Sequence, residues 1–295
     1  MPHYGVSRAD IVFETFVNGL TTRRYAMFSN IAEVEAIGGS RSMRIPFTDL
    51  SLGYDTVAVY AGGSSQVIGD LNESGVDGII SQRWGTDYHW REEGKVYEHA
   101  LMVRGDGLLA YAQEQGYRTT QDPDKDYGFR FTDNAAPAGG EPAEGITVGF
   151  VLSSRTKETA LVYNDEYGAY TMSQYGLECF DGYYNVPETY KNIFVLFCEN
   201  VNNGIYHVAT TVGSGEGYFA CDGRIVPIQW HRETNNDPFT FTLTDGSRLL
   251  QGVGSSYIAL APIGSYVECW TPEPTAEEAE VETFPSDSGE AVSAG

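Results

Sequence analysis

Two arginines three positions apart, Arg41 and Arg44, follow a glycine pair in the stretch GGSRSMR at residues 38–44. A guanidinium carries its N–H donors in a planar fork that matches carboxylate and phosphate oxygens, so the pair is a candidate anion clamp. Further on, the turn Gly62-Gly63-Ser64 separates a strand-like run from a helix start. Strand, glycine turn and helix start together aim backbone N–H groups at an anion. The chemistry expected is recognition of an anionic ligand in a cleft. Arg41, Ser42 and Arg44 would stand on one side and Gly62, Gly63 and Ser64 on the other, with His99, Glu14, Asp55 and Tyr60 at the rim. The competing reading is architectural, with both arginines tying loops to carboxylates such as Asp49 and Asp55. An enzymatic version would use His99 or Glu14 as general base and Arg41 to stabilise an oxyanion. Ser64 lies in GGSSQ, not in the G-x-S-x-G turn of an exposed nucleophile, and neither G-x-x-x-x-G-K nor G-x-G-x-x-G is present. No catalytic residue, metal ligand or cofactor is therefore assigned.

The elements that would hold these residues can be read from their patterns. Residues 9–18 alternate, Asn18-Gly19 marks a turn, and residues 21–28 resume an extended pattern, which gives a β-hairpin. Glu14, Arg23 and Arg24 lie in it, and a solvated cross-strand ion pair is expected there. Pro46 suits the first turn of a helix with Phe47, Leu50 and Tyr54 on one face. Residues 56–60 read as a buried strand, and Ser64 as the N-cap of a helix over 65–72 closed by Gly75. Residues 77–83 and 98–103 read as strands, the second carrying His99. Residues 84–97 read as a polar, aromatic loop, and residues 107–115 as a helix stopped by Gly116. This alternation gives an α/β-type first domain over residues 1–134.

Residues 135–145, rich in Pro, Gly and Ala, form the expected linker. Beyond it, strand-like segments follow one another from residue 146 to 262, with turn signals at Asp181-Gly182, Asp222-Gly223 and Asp245-Gly246. The second domain, 146–270, is therefore β-rich and the fold class α+β. Residues 271–295 hold seven acidic residues and no basic one and are expected to be a disordered tail.

The formal net charge of −23 excludes a nucleic-acid partner, because nothing here neutralises a run of phosphates, and it excludes charge-driven binding to an anionic membrane. The four cysteines form no C-x-x-C or His/Cys metal spacing, so buried free thiols are expected. No apolar run reaches membrane-spanning length, and MPHYGVSRAD has no signal-peptide core.

A series of blocks in order gives the chain a family resemblance: GVSRADIVFE, SRSMR, FTDLSLGYD, AVYAGGS and EHALMVRGDGLLAYAQEQGY, then LVYNDEYGAY, GLECFDG, NIFVLF, GSGEGYFACDGRIVPIQW and FTLTDGSRLL. They resemble the YerB-like lipoprotein family of bacteria and cover nearly the whole chain to about residue 262. The resemblance implies an α/β-type N-terminal domain and a β-rich C-terminal domain in a layered, sandwich-like fold. It also implies a protein held outside the cytoplasmic membrane by a lipid anchor, whose signal segment would precede Met1. The role implied is a binding or scaffold module of the cell envelope, with an anionic small ligand or an envelope protein as partner. The alternative is a hydrolase or transferase acting on envelope glycan or peptide. Tyr60 and Cys179 stand where the family carries histidines, and Glu98-His99-Ala100 keeps only the histidine of a Pro-His-Asn motif. These departures point away from a shared catalytic centre.

Overall fold

Alternation in IVFETFVN sends Phe13 and Val17 to one side of a strand and Val12 and Phe16 to the other, and both sides are buried. A strand apolar on both faces belongs inside a layered structure. The computed structural model, which describes residues 2–204 and 206–272, places it there. This strand, β1 (Ile11–Asn18), pairs antiparallel with β2 (Thr21–Met27) through a turn in which Gly19 takes φ 52°. The chain then builds α1 (Ile45–Tyr54), β3 (Ala58–Tyr60), α2 (Ser65–Ser74), β4 (Gly78–Ile80), β5 (Leu101–Val103) and α3 (Gly105–Glu114). Pro46 sits in the first turn of α1. The Ser64 hydroxyl accepts the Val67 N–H at 3.3 Å to cap α2, and Gly75 ends that helix at φ 80°. The parallel pair β3–β4, β5 and α3 close over a small cluster that includes Ile79, Tyr88, Val103 and Leu108.

The remaining chain is strand. β6 (Gly145–Leu152), β7 (Arg155–Asn164) and β8 (Ala169–Gln174) run antiparallel. They are followed by β9 (Asn192–Cys198), β10 (Gly213–Cys221), β11 (Arg224–Arg232), β12 (Thr240–Leu243), β13 (Ser256–Pro262) and β14 (Tyr266–Trp270). The large sheet has the order β2-β1-β13-β9-β10-β11-β12, and β13 is parallel to both of its neighbours. The second sheet has β14-β6-β7-β8 as its centre. One core lies between α1 and α2 and the large sheet, where Phe47, Leu50 and Leu71 meet Phe13, Phe194 and Ile258. The other lies between the sheets, where Val12, Phe16 and Tyr257 meet Ile146, Phe150 and Leu161. Each such side chain taken out of water contributes on the order of 1.5–3 kcal/mol, which fixes the stacking of the three layers.

Several sequence expectations change. The β1–β2 hairpin does not stay with the first segment alone: parallel pairing to β13 makes it part of the large sheet, so the core beneath α1 and α2 draws on both segments. Residues 135–145 are not a free linker, because Ala135 and Ala143 are buried and Glu141–Pro142 pairs with β11. A proline is tolerated at a sheet edge, where no ladder N–H is needed. His99 lies in a 3-10 turn (Tyr97–His99), not in a strand, and the loop of residues 84–97 contains the strand His89–Arg91. All four cysteines are free. Cys198 and Cys221 are buried as expected, Cys179 is half-buried, and Cys269 is exposed on β14. The acidic tail expected over 271–295 lies outside the described residues from 273 onward. Among the described residues no helix is long and apolar enough to cross a membrane, and no three His, Cys, Asp or Glu side chains are grouped to hold a metal.

Candidate anion-binding cleft

β2 is the last strand of the large sheet, and among the described residues no strand pairs with its outer side. That edge lines a cleft of about 1480 Å3. The walls of the cleft come from residues 37–43, from the end of α1 with residues 55–57, 59 and 60, and from Gln174, the last residue of β8, and Tyr175 after it. Side chains of β2 alternate between the layers. Tyr25 points to the helices, where its ring stacks on Phe47 at 5.4 Å and its hydroxyl meets Ser51 Oγ at 2.6 Å and Thr56 Oγ1 at 3.0 Å. Arg23 lies on this side and Arg24 on the other.

On the helix side three guanidinium groups come together. Arg23 donates to the Ser42 carbonyl. Arg41 donates to the Glu98 carbonyl at 3.0 Å, and the same nitrogen lies 3.2 and 3.3 Å from the two ring nitrogens of His99. Arg44 donates to the Met43 carbonyl at 2.8 Å and to Asn18 Oδ1 at 3.3 Å, and its guanidinium carbon stands 4.5 Å from the Tyr206 ring centre. Every acceptor here is a carbonyl or a ring. Among the described residues none of the three makes an ion pair with a carboxylate. Burial pulls the Arg23 guanidinium down to about 10, and repulsion from Arg44 and Arg41 adds to it. Burial lowers Arg44 as well, and it lowers His99 with help from Arg41.

On the other side of the same strand the charges are matched. Glu14, 1% exposed, accepts from Lys157 Nζ at 2.5 Å, Thr22 Oγ1 at 2.5 Å, Tyr257 at 2.8 Å and Gln174 at 2.9 Å, with Arg24 Nε 3.5 Å away. Arg24 also pairs with Glu188. Burial would push Glu14 up, but Lys157 and Arg24 outweigh it and hold the carboxyl well below the ordinary range. Glu188 is likewise lowered: burial pushes it up, and Arg24 with His3 prevails.

The residues singled out from sequence divide accordingly. Arg41, Ser42, His99, Asp55, Tyr60 and Glu14 all line the cleft. Glu14 is not at the rim in a solvated pair; it is buried between the sheets. Asp55 ends α1 at φ 55° and pairs with Arg118. Arg44, Gly62, Gly63 and Ser64 do not line the cleft. The Ser64 hydroxyl is committed to its helix cap, and the turn instead holds the arginine segment, through Met43 N–H to Gly62 C=O at 2.8 Å and Ala61 N–H to Arg41 C=O at 2.9 Å. Asp49 does not pair with these arginines either: its carbonyl accepts from Arg232, and burial raises its carboxyl to about 6. Two residues were missed, Arg23 and Lys157. A parity count along each strand finds both, since Arg23 shares parity with Tyr25, and Lys157 with the buried Thr159 and Leu161.

The fold is thus α+β and mostly β, with two large sheets, helices on one face and smaller strand groups beside them. Residues 1–118 match the family "Protein of unknown function (DUF3048) N-terminal domain", and residues 146–258 match its C-terminal domain. A relative from Bacillus subtilis (strain 168) named "Putative lipoprotein YerB" is 24% identical over 269 residues, covering 88% of this chain and 77% of its own. The crystal structure of YerB protein from Bacillus subtilis superposes with a TM-score of 0.76 at 22% identity, covering 90% of this chain and 89% of the other, which shows the shared fold. The chain belongs to the YerB-like family.

Proposed function

We propose that the protein is a binding module whose cleft takes an anionic ligand through Arg23 and Arg41, with Arg44 adding to the local positive field. The observation that carries this reading is three guanidinium groups without a carboxylate partner among the described residues, in a chain of net charge −23. With 41 acidic side chains available, clustering cations around carbonyls leaves their charge for something outside the fold. The hydrolase or transferase alternative has no comparable support. Glu14 is held ionised by Lys157 and Arg24 with its oxygens fully hydrogen-bonded, which makes it a poor general base. From the name of its relative, a putative lipoprotein, we propose that the protein works outside the cytoplasmic membrane, held by a lipid anchor.

Calorimetric titration with inorganic pyrophosphate tests the binding reading. A charged hydrogen bond is worth about 1.5–3 kcal/mol. Replacing Arg23 or Arg41 by glutamine should therefore weaken the complex roughly tenfold or more, while His99→Ala changes it little. Equal affinity in the wild type and in the double variant Arg23→Gln/Arg41→Gln would overturn the reading.

A further inference from the structure

The cleft offers more than charge. No backbone hydrogen bond joins residues 22–26 to any described residue outside β1. In an antiparallel pair every second residue of an edge strand turns its N–H and C=O away from its partner. On β2 those groups face the cleft along a strand of seven residues, a length of roughly 20 Å. Proteins commonly blunt such an edge with a bulge, a proline or a covering segment. β2 carries no proline, and its only irregularity lies at the turn end, between Phe16 and Asn18 of β1.

We infer that the cleft binds an acidic peptide in extended conformation, added as a further strand to the edge of β2. This rests on the anion-binding reading of the same site and names its ligand class. Backbone hydrogen bonds to β2 would set the register, as in other strand-addition complexes. Alternate side chains of the guest would face opposite walls. One set meets Arg23 and Arg41 and is read as carboxylates; the other meets Gln174 and Tyr175. A second copy of this chain is a poor occupant, because two β2 edges side by side would bring Arg23 and Arg41 of one against the same arginines of the other.

The test uses the full chain and a fluorescein-labelled peptide of alternating glutamate and valine, about six residues long to match the strand. Anisotropy should show saturable binding. Affinity should fall at least tenfold when alternate peptide nitrogens are methylated, and at least tenfold in Arg23→Gln. Amide exchange in residues 22–26 should slow on binding. If the methylated peptide binds as tightly, or if only poly(glycerol phosphate) binds, strand addition is wrong while the anion reading stands on the pyrophosphate titration. If neither peptide nor pyrophosphate binds, both readings fail. A dimer of the free chain with residues 22–26 already protected would give the edge to a second copy and overturn the inference.

Discussion

Arg23 and Arg24 are neighbours in one strand and live in opposite electrostatic worlds. Arg24 turns toward the second sheet, where Glu14 and Glu188 match it and Lys157, and tyrosine, threonine and glutamine side chains fill the remaining hydrogen bonds. Arg23 turns toward the helices and finds a carbonyl and two more arginines. A buried charge is tolerated only when it is paired and hydrogen-bonded, so the Arg24 side is architecture with nothing left to offer a ligand. Both arginines line the cleft, but the Arg23 side keeps its charge uncompensated because its acceptor is a backbone carbonyl and not a carboxylate. Two residues with the same chemistry are thus separated into structural and recognition roles by the period of a β-strand.

The contrast breaks most visibly in stability. Arg24→Gln leaves two buried carboxylates with Lys157 as the remaining buried cation, and by the usual cost of breaking a buried pair it should destabilise by about 3–5 kcal/mol. Arg23→Gln removes repulsion from Arg44 and Arg41 and should change stability by no more than about 0.5 kcal/mol. Urea denaturation of the two variants reads both values, and similar losses would erase the distinction between the two sides.

Acid sharpens the same contrast with a smaller effect. Glu14 and Glu188 have folded values below the ordinary glutamate value of 4.5, so the unfolded chain binds more protons than the folded one as the pH falls through that value. Their contribution is complete above about pH 5 and is lost progressively below it, toward the folded values. The urea midpoint should therefore drop between about pH 5 and pH 3, and drop less steeply in Glu14→Gln than in the wild type. A parallel slope in the variant would mean that the buried cluster does not set the acid limit.

How much of this could be read from the sequence depends on how local each feature is. The Ser64 cap, the Gly75 stop and Pro46 in the first turn of α1 follow from short-range chemistry, and all appear where the pattern puts them. The insertion of β13 between β1 and β9 does not, because parallel pairing across more than two hundred residues leaves no local signature. Arg41 and Ser42 were legible as cleft residues from residue type and spacing. Arg44 was not, since its place beside Tyr206 depends on a distant loop. Glu14 shares parity with the buried Val12 and Phe16, so its burial was readable. The inward turn of Lys157 was readable by the same parity, but its pairing with Glu14 was not, because β7 pairs only within the second sheet.

One spectrum tests the central claim most directly. In uniformly 15N-labelled protein the Nε–Hε resonances of Arg23 and Arg24 can be followed side by side during titration with inorganic pyrophosphate. The account predicts a saturable shift of the Arg23 and Arg41 resonances, with Arg24 unmoved behind its carboxylates. A shift of Arg24 as large as that of Arg23, or no saturable shift of any arginine, would contradict it.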